Sequence, residues 1–284
     1  MVQFFHLQAD SLFVMANMNS MELYQDLQLC EKSEAFIWGD DDLEFSCTKV
    51  VFKGVNDRYF YATTRDRLTS DCILDPRKLA LVPIPVENIW PPAAGFTQAP
   101  EPVPNDCYVK EPSLLRYGDS ETSYALSADI LTEIRACEIL KDWPHPNIAS
   151  YLGCVIKNGK VRGLCFVKYA MTLTQRLRMP KPVDLHRCLT GIREGVRHLH
   201  QHGLIHNDLN PANIMVDEDD SPIIIDFDSC KPEGWELGHK AGTEGWTLGD
   251  SRIAAQENDL YALGKMEEFL ARFQSNEGGE LFNR

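Results

Sequence analysis

The sequence lacks an excess of positive charge. Its 284 residues include 28 lysines and arginines against 42 aspartates and glutamates, which gives a formal net charge of −14. We do not expect a chain of this charge to bind nucleic acid or an anionic membrane through unspecific electrostatic attraction. A phosphate-binding site stays compatible with the composition, because such a site needs only a local positive charge.

Three further features are missing. The nine cysteines are odd in number and form no C-x-x-C pair, which argues against a disulfide framework or a zinc site. No apolar run approaches the length that spans a membrane. The first residues also lack the basic stretch and apolar run of a secretory signal. The sequence therefore predicts a cytoplasmic or nuclear protein with no membrane partner.

A polar loop followed by a hairpin contains the residues that are most informative about function. The loop contains Asp208 and Asn213, and Asp226 follows a short apolar run. The β-type runs 214–216 and 223–225, joined by a polar turn, predict the hairpin. The carboxylates and the amide then converge on one point. Hard oxygen ligands suit Mg²⁺, which itself suits phosphates.

This string resembles the catalytic loop and metal motif of protein kinases, H-R-D-x-x-x-x-N followed by D-F-G. Here the motifs read His206-Asn207-Asp208, then Asn213, then Asp226-Phe227-Asp228. The resemblance covers roughly residues 105–270 and is nearest to short kinase-like proteins of filamentous fungi. It implies an α+β, two-lobed fold with a shortened C-lobe and an added N-terminal segment.

The expected organisation is an N-terminal segment over residues 1–105, an N-lobe over 106–170 and a C-lobe over 171–284. The N-terminal segment is expected to pack on the N-lobe or complete it. Its expected elements are a helix capped by Ser20 with Leu23, Leu27 and Cys30 on one side, a hairpin of strands 45–53 and 58–63, and an extended proline-rich stretch over 83–104.

A strand and a helix supply an expected ion pair. The strand Cys107 to Lys110 resembles the kinase strand that holds the phosphate-binding lysine. The helix predicted over 128–140 carries Glu133 at the margin of its apolar stripe, where a carboxylate needs a cationic partner. In kinases a helix glutamate pairs with the strand lysine, so this role falls to Glu133. Glu138, on the other margin of the stripe, is the alternative.

The nucleotide base has an expected position as well. By resemblance, Val167 is the gatekeeper, and Lys168 to Ala170 form the hinge whose backbone hydrogen-bonds adenine. On pattern alone, a buried strand that runs into a linker fits equally well.

By the same resemblance, Asp259 accepts hydrogen bonds from the catalytic-loop backbone. The histidines at 198, 200 and 202 are irregularly spaced and are expected at the surface.

The implied function is ATP-dependent phosphotransfer to the hydroxyl of a protein serine or threonine or of a small molecule. Lys110 and Asp208 are the catalytic residues that the resemblance implies. The implied nucleotide-binding residues are Lys110, Glu133, Val167, Lys168, Ala170, Asn213 and Asp226, of which Asn213 and Asp226 hold Mg²⁺. The alternative is a pseudokinase, an interaction module that binds nucleotide without catalysis. The sequence leaves the oligomeric state open.

The sequence departs from the family pattern at five points, of which the missing glycine-rich motif, Asn210 and Asp228 support that alternative. No G-x-G-x-x-G precedes Lys110, and no A-P-E motif follows the catalytic loop. Asn207 replaces the arginine that grips a phosphorylated activation loop. Asn210 replaces the lysine that contacts the transferring phosphate in Ser/Thr kinases. Asp228 replaces the glycine of D-F-G and adds a negative charge near the metal site.

Overall fold

The protein folds as two compact units. A computed structural model describes residues 26–38, 42–67, 74–119, 126–238, 242–249 and 251–274. Unit 1 comprises Met1–Pro91 and Pro112–Ser127, and unit 2 comprises Pro92–Glu111 and Ala128–Arg284. The chain therefore passes between the units three times. Within the described ranges, no helix is long and apolar enough to cross a membrane.

Unit 1 contains a four-stranded antiparallel sheet in the order β1-β2-β3-β4. Successive side chains of a strand point to opposite faces, so each face of the central strand β2 has its own apolar cluster. Val51 packs in one cluster with Ile89 and Trp90, whereas Val50 and Phe52 pack in the other. The elements are β1 (Gln28–Trp38), β2 (Leu43–Lys53), β3 (Tyr59–Thr64), β4 (Val82–Ile84) and the four-residue helix α1 (Val86–Ile89).

The hairpin expected from the sequence is present as β2 and β3. The expected helix before it is wrong where it can be compared. Ser20 and Leu23 lie outside the described residues, and Leu27 precedes β1. Cys30 lies in β1 itself, where pairing with β2 determines the backbone conformation. Pairing with β2 therefore determines the structure at Cys30, although the spacing of a few apolar residues had indicated a helix.

The first part of unit 2 is a three-stranded antiparallel sheet in the order β5-β7-β6, with one long helix. A turn at Asn158-Gly159 joins β6 to β7, and both of its residues have positive φ, as tight hairpins require. The elements are β5 (Cys107–Lys110), β6 (Tyr151–Lys157), β7 (Lys160–Val167) and α2 (Leu126–Asp142), whose first two residues belong to unit 1.

A proline-flanked segment runs along β6. The amide of Cys154 donates to the Thr97 carbonyl at 2.7 Å, and the amide of Ala99 donates to the Cys154 carbonyl at 2.9 Å. A side chain at Gly153 would come within 2.5 Å of the Ala99 nitrogen, so only glycine admits this close approach. Residues 97–99 of the proline-rich stretch thus cover one edge of the sheet, whereas Val86–Ile89 of that stretch form a helix and not the expected extended chain.

The rest of unit 2 places the polar loop between a helix and two small sheets, in the orders β11-β10-β8 and β12-β9. The helix Leu185–Gln201, α4, carries a buried stripe that includes Cys188, Ile192 and Val196. The fold is α+β, as expected. The elements are β8 (Met171–Thr172), α3 (Leu173–Leu177), α4 (Leu185–Gln201), β9 (Leu204–Ile205), β10 (Ile214–Val216), β11 (Pro222–Ile224), β12 (Lys231–Pro232) and α5 (Gln256–Gln274).

Candidate active site

One lysine joins the two parts of unit 2. The ammonium of Lys110, at the end of β5, lies 2.7 Å from Glu133 Oε1 on α2 and 2.6 Å from Asp226 Oδ1 after β11. Burial disfavours the charged ammonium, but the carboxylates of Glu133, Asp226 and Asp228 outweigh it and hold the pKa of Lys110 above its usual value. Burial raises the pKa of Glu133, and the Lys110 ammonium offsets part of that increase. Lys110 is therefore a fixed positive charge.

The alternative partner, Glu138, is occupied elsewhere. Its carboxylate accepts hydrogen bonds from the Thr97 amide at 2.9 Å and the Thr97 hydroxyl at 2.8 Å. The Tyr151 hydroxyl donates to it at 3.0 Å. The pairing of Lys110 is thus with Glu133, as the helix phase predicts, and Glu138 anchors the segment that runs along β6.

Asp208 is held by hydrogen bonds from both sides. Its Oδ1 accepts from the amide of Thr243 at 2.8 Å, from the Thr243 hydroxyl at 2.7 Å and from Asn210 Nδ2 at 3.2 Å. Its Oδ2 accepts from Asn213 Nδ2 at 3.0 Å. Hydrogen bonds to a carboxylate are stronger than neutral ones, so the side chain is fixed in one orientation.

Asn213 contacts Asp208 directly and is tied through its backbone to the residue before Asp226. The Nδ2 of Asn213 donates both to Asp208 Oδ2 and to the Asp208 carbonyl, the latter at 2.8 Å, which fixes the amide and leaves Oδ1 for a cation. The amide of Ile225 donates to the Asn213 carbonyl at 3.0 Å, and this bond ties the end of the hairpin to the loop. A carboxylate and an amide oxygen fit the oxygen preference of Mg²⁺.

Asp259 fixes the backbone of the loop. It is fully buried on α5 and accepts the amides of His206 and Asn207, each at 2.9 Å. This confirms the orienting contacts expected of Asp259. His200, expected at the surface, is instead 2.8 Å from the Asp259 carboxylate through Nε2. That expectation was wrong because irregular spacing of histidines says nothing about a partner on a distant helix.

Asn207 connects the loop to two other segments. Its Nδ2 donates to the carbonyls of Ile205 at 2.9 Å and Ser229 at 3.1 Å. Its Oδ1 accepts from Asn258 Nδ2 of α5 at 3.0 Å. The side chain is buried, and its backbone φ is +65°. A neutral amide therefore occupies the position of the kinase arginine and is satisfied entirely within the protein.

A cavity of about 330 Å³ lies beside Lys110, within the size range of small-molecule sites. Its wall on β7 includes both Phe166 and the expected Val167. Because Lys110 lies opposite Leu164 and Tyr108 opposite Phe166, Phe166 shares the face of Lys110. Phe166 is 7% exposed, whereas Val167 is 37% exposed. Register and burial thus favour Phe166 over Val167 as the residue at the back of the cavity.

The cavity is bounded by the residues after β7 as well. Lys168 and Tyr169 line it, and Ala170 lies one position beyond them. The amide of Lys168 donates to the Asp106 carbonyl at 3.2 Å, so this amide is engaged within the protein. The other lining residues are Tyr108, Lys110, Glu133, Ala149, Phe166, Val167, Met215, Ile225 and Asp226.

Comparison with known proteins agrees with this geometry. Residues 116–266, more than half of the chain, match the protein kinase domain. The chain belongs to the protein kinase family. Kinases of this family in general use ATP and Mg²⁺ and hold the metal with an aspartate and an asparagine. The Asp226 and Asn213 oxygens fit that pair.

Several kinases resemble the chain over part of its length. A dual serine/threonine and tyrosine protein kinase of Strongylocentrotus purpuratus is 33% identical over 109 residues, which are 35% of this chain and 11% of that protein. Serine/threonine-protein kinase TAO3 of Rattus norvegicus is 28% identical over 145 residues, 48% of this chain and 16% of that protein. Dual specificity testis-specific protein kinase 1 of Mus musculus is 33% identical over 101 residues, 33% and 16% respectively. The chain thus matches only a small share of each relative.

Sequence reasoning missed three contributors to this kinase site. The sequence motifs assign no contact to Thr243, although it makes two of the hydrogen bonds to Asp208. Asn258 bonds Asn207 from the position directly before Asp259, and that place beside an expected orienting residue could have suggested this contact. Phe166 was missed because the facing side of a strand depends on pairing register, which the sequence does not state.

Proposed function

We propose that this kinase-family chain is an active phosphotransferase that moves the γ-phosphate of ATP to a hydroxyl acceptor with the help of Mg²⁺. One observation carries the proposal: Lys110 contacts Asp226, the amide of the preceding Ile225 bonds the Asn213 carbonyl, and the Asn213 side chain bonds Asp208. A cation for phosphate, two oxygens for a metal and one fixed carboxylate are the parts that phosphoryl transfer needs.

Each residue has a distinct role in this proposal. Lys110 binds the α- and β-phosphates, and Glu133 holds its ammonium in place. Asn213 and Asp226 would hold Mg²⁺, which supplies positive charge to the phosphate oxygens. The acceptor oxygen forms a bond to the γ-phosphorus as the bond from phosphorus to the bridging β–γ oxygen breaks, and ADP leaves. The acceptor hydroxyl proton passes to Asp208.

The hydrogen bonds of Asp208 indicate which oxygen receives that proton. Oδ1 accepts from Thr243 twice and from Asn210, whereas Oδ2 accepts only from Asn213 among the residues that the structure describes. A carboxylate oxygen has two lone-pair directions. Oδ2 therefore has room for the acceptor hydroxyl, and we assign the proton-accepting role to it.

The base of ATP would lie in the cavity beside Lys110. We assign the gatekeeper position to Phe166 and move the hinge one residue toward the N-terminus, to Val167, Lys168 and Tyr169. This replaces the earlier expectation of Val167 followed by Lys168 to Ala170. The exposure of Val167 and the engaged amide of Lys168 support the change.

We propose that the activation segment is held without a phosphate. Asn207 cannot bind a phosphate bidentately as an arginine does. Its amide instead bonds Ser229 and Asn258 directly, so the segment after Asp228 is fixed by neutral groups.

The acceptor class stays open between a protein serine or threonine and a small molecule, without nucleic acid or membrane as a partner.

A reducing compartment, the cytosol or the nucleus, is part of this proposal, because all eight cysteines in the described ranges are free thiols. The resemblance to short kinase-like proteins of filamentous fungi also stays a prediction.

The second candidate is a pseudokinase, and one observation favours it. The carboxylates of Glu133, Asp226 and Asp228 all act on the single Lys110 ammonium. Asp228 therefore adds negative charge where triphosphate must approach, and no Gly-rich motif precedes Lys110 to cover the phosphates. A protein of this kind would bind nucleotide weakly and transfer nothing.

Nucleotide binding is the first property that distinguishes the two candidate functions. We expect ATP with Mg²⁺ to raise the unfolding temperature of the wild-type protein, since a ligand at 100 times its Kd adds about 2.7 kcal/mol of stability. ATP with EDTA should give a much smaller increase, and Mg²⁺ alone should give none. An equal increase with and without Mg²⁺ would contradict the metal role of Asn213 and Asp226.

A further inference from the structure

Strand β1 forms one edge of the sheet in unit 1. It pairs with β2 on one side, and no residue in the described ranges pairs with its other side. Its eleven residues make it long for an edge strand, and all of them are exposed except Glu31 and Glu34, which are half-buried. The outer edge of β1 therefore presents backbone amides and carbonyls to which a further strand can bind.

Apolar side chains accompany this edge. Trp38 is 79% exposed and Ile37 is 56% exposed, and Phe36 and Leu29 are exposed as well. Arg67 contacts one of these side chains, with its guanidinium carbon 5.7 Å from the centre of the Phe36 ring. Because exposed apolar side chains along an unpaired edge favour pairing with another chain, β1 is a candidate interface.

The charges of β1 indicate which partner fits. Residues 31–35 pair with β2 without a register shift, and Ser33 is the midpoint both of this run and of the whole strand. Side chains alternate between the faces of a sheet, so a twofold axis between two antiparallel copies of β1 passes beside a residue. With the axis at Ser33, Lys32 of each copy lies opposite Glu34 of the other.

The neighbouring registers are less favourable. An axis at Lys32 places two ammonium groups opposite each other, and an axis at Glu34 does the same with two carboxylates. Opposite charges directly across two strands stabilise their pairing, whereas like charges destabilise it. The charge pattern of β1 is therefore complementary to itself in the register that also pairs the strand over its full length.

Glu34 can bind a second cation and keep its present partner. Its carboxylate accepts from Arg67 Nε at 3.3 Å and from Arg67 Nη2 at 2.8 Å. A carboxylate has about four lone-pair positions, so Lys32 of a second copy can add a further bond. Lys32 is exposed and forms no ion pair within the described part of the chain. Both members of the expected pair are thus available.

We propose that the outer edge of β1 binds the same edge of a second copy of this chain, antiparallel and centred on Ser33. The two sheets of unit 1 then form one continuous sheet, and each copy contributes the same strand to the interface. Phe36, Ile37 and Trp38 of each copy come next to the start of the other copy's β1, where Leu29 is exposed. This dimer concerns unit 1 and is independent of the proposed phosphotransfer.

Exchange of charge between the two positions tests the register. Lys32→Glu places carboxylates opposite each other twice, and Glu34→Lys does the same with ammonium groups. Each variant alone should have a dimer Kd at least about tenfold above that of wild type, because two favourable cross-strand pairs become unfavourable. An equimolar mixture should recover most of the wild-type affinity, since every opposed pair then joins an acid to a base. Sedimentation velocity over a range of concentrations measures these Kd values.

Lys78→Glu and Glu87→Lys are the matched controls. Both residues are exposed charges of unit 1 outside β1, so the same changes in net charge should leave the wild-type Kd unaltered. Monomeric wild-type protein at every concentration would overturn the proposal. A dimer that Lys32→Glu weakens no more than Lys78→Glu does would also overturn it, because another surface would then form the interface.

Hydrogen exchange of the wild-type protein tests the edge without any variant and so covers a failure of either variant to fold. The amides of residues 28–38 should exchange more slowly at high protein concentration than at low concentration. Residues 59–64, in the interior strand β3, should exchange equally at both concentrations. Exchange of 28–38 that is slow at every concentration would show that the same chain covers this edge, and the proposal would fail.

Discussion

Asp208→Ala is expected to lower turnover by about 10²–10⁴-fold, the usual contribution of a positioned general base. The acceptor hydroxyl then loses the oxygen that orients it and takes its proton. Binding of ATP with Mg²⁺ should persist, because the Asp208 main-chain carbonyl still accepts from Asn213 Nδ2 and keeps that amide oriented. Initial rates of ADP formation measure the first effect, and the thermal shift measures the second.

Asp219→Ala is the matched control for this change. Asp219 is an exposed aspartate in the turn between β10 and β11, within the same hairpin but away from the polar loop. Its replacement should leave turnover and nucleotide binding unchanged. Turnover in Asp208→Ala equal to that of Asp219→Ala would show that Asp208 has no part in the chemistry.

Asp226→Asn is expected to abolish the Mg²⁺-dependent part of the ATP thermal shift. The change replaces one of the two proposed metal-binding oxygen donors with a neutral amide and weakens the ion pair with Lys110. About 2.7 kcal/mol of ligand stabilisation at 100 times Kd is then lost. Unfolding curves with ATP, recorded with Mg²⁺ and with EDTA, should coincide for this variant.

The Asp226 result needs a control for charge alone. Asp219→Asn removes one negative charge of the same kind from the exposed turn, so it should keep the full difference between Mg²⁺ and EDTA. An Asp226→Asn protein that also keeps this difference would rule out Asp226 as a metal ligand and would point to Asp228 or Glu133 in its place.

The polar loop was predictable because its chemistry is local. Asp208 and Asn213 are five residues apart on one loop, and the hairpin length fixes where Asp226 returns. The phase of a single helix also sufficed to choose Glu133 over Glu138, because a helix margin is defined by spacing along the chain. In both cases neighbouring residues in sequence decide the geometry.

Features that depend on pairing between residues far apart in the chain were harder to predict from the sequence. A shift of one residue in strand register exchanges the faces of a strand, so Val167 and Phe166 could not be distinguished from sequence. Cys30 was expected in a helix for the same reason, since only its partner strand β2 reveals a sheet. The contacts of Glu31 with Ser113 and Leu114, and of Lys49 with Tyr117, likewise join residues more than 60 positions apart in the chain.

Asn207 shows how a departure from a motif gains meaning from the structure. From sequence, its replacement of arginine indicates only a missing phosphate contact. In the structure, the side-chain amide of Asn207 forms hydrogen bonds with Ile205, Ser229 and Asn258. These bonds connect the polar loop to the segment after Asp228 and to helix α5. These bonds support the proposal that the site forms without phosphorylation of the activation loop.

Transfer of labelled phosphate tests the central claim most directly. Wild-type protein, first treated with phosphatase and then separated from it, is incubated with Mg²⁺, ATP labelled at the γ-phosphate, and serine- or threonine-containing proteins or small polyols. The account predicts label on an acceptor hydroxyl, at the same rate with and without phosphatase treatment, and its loss in Asp208→Ala. Binding of ATP with Mg²⁺ but no labelled acceptor and no ADP above the Asp208→Ala background would contradict it and identify a pseudokinase.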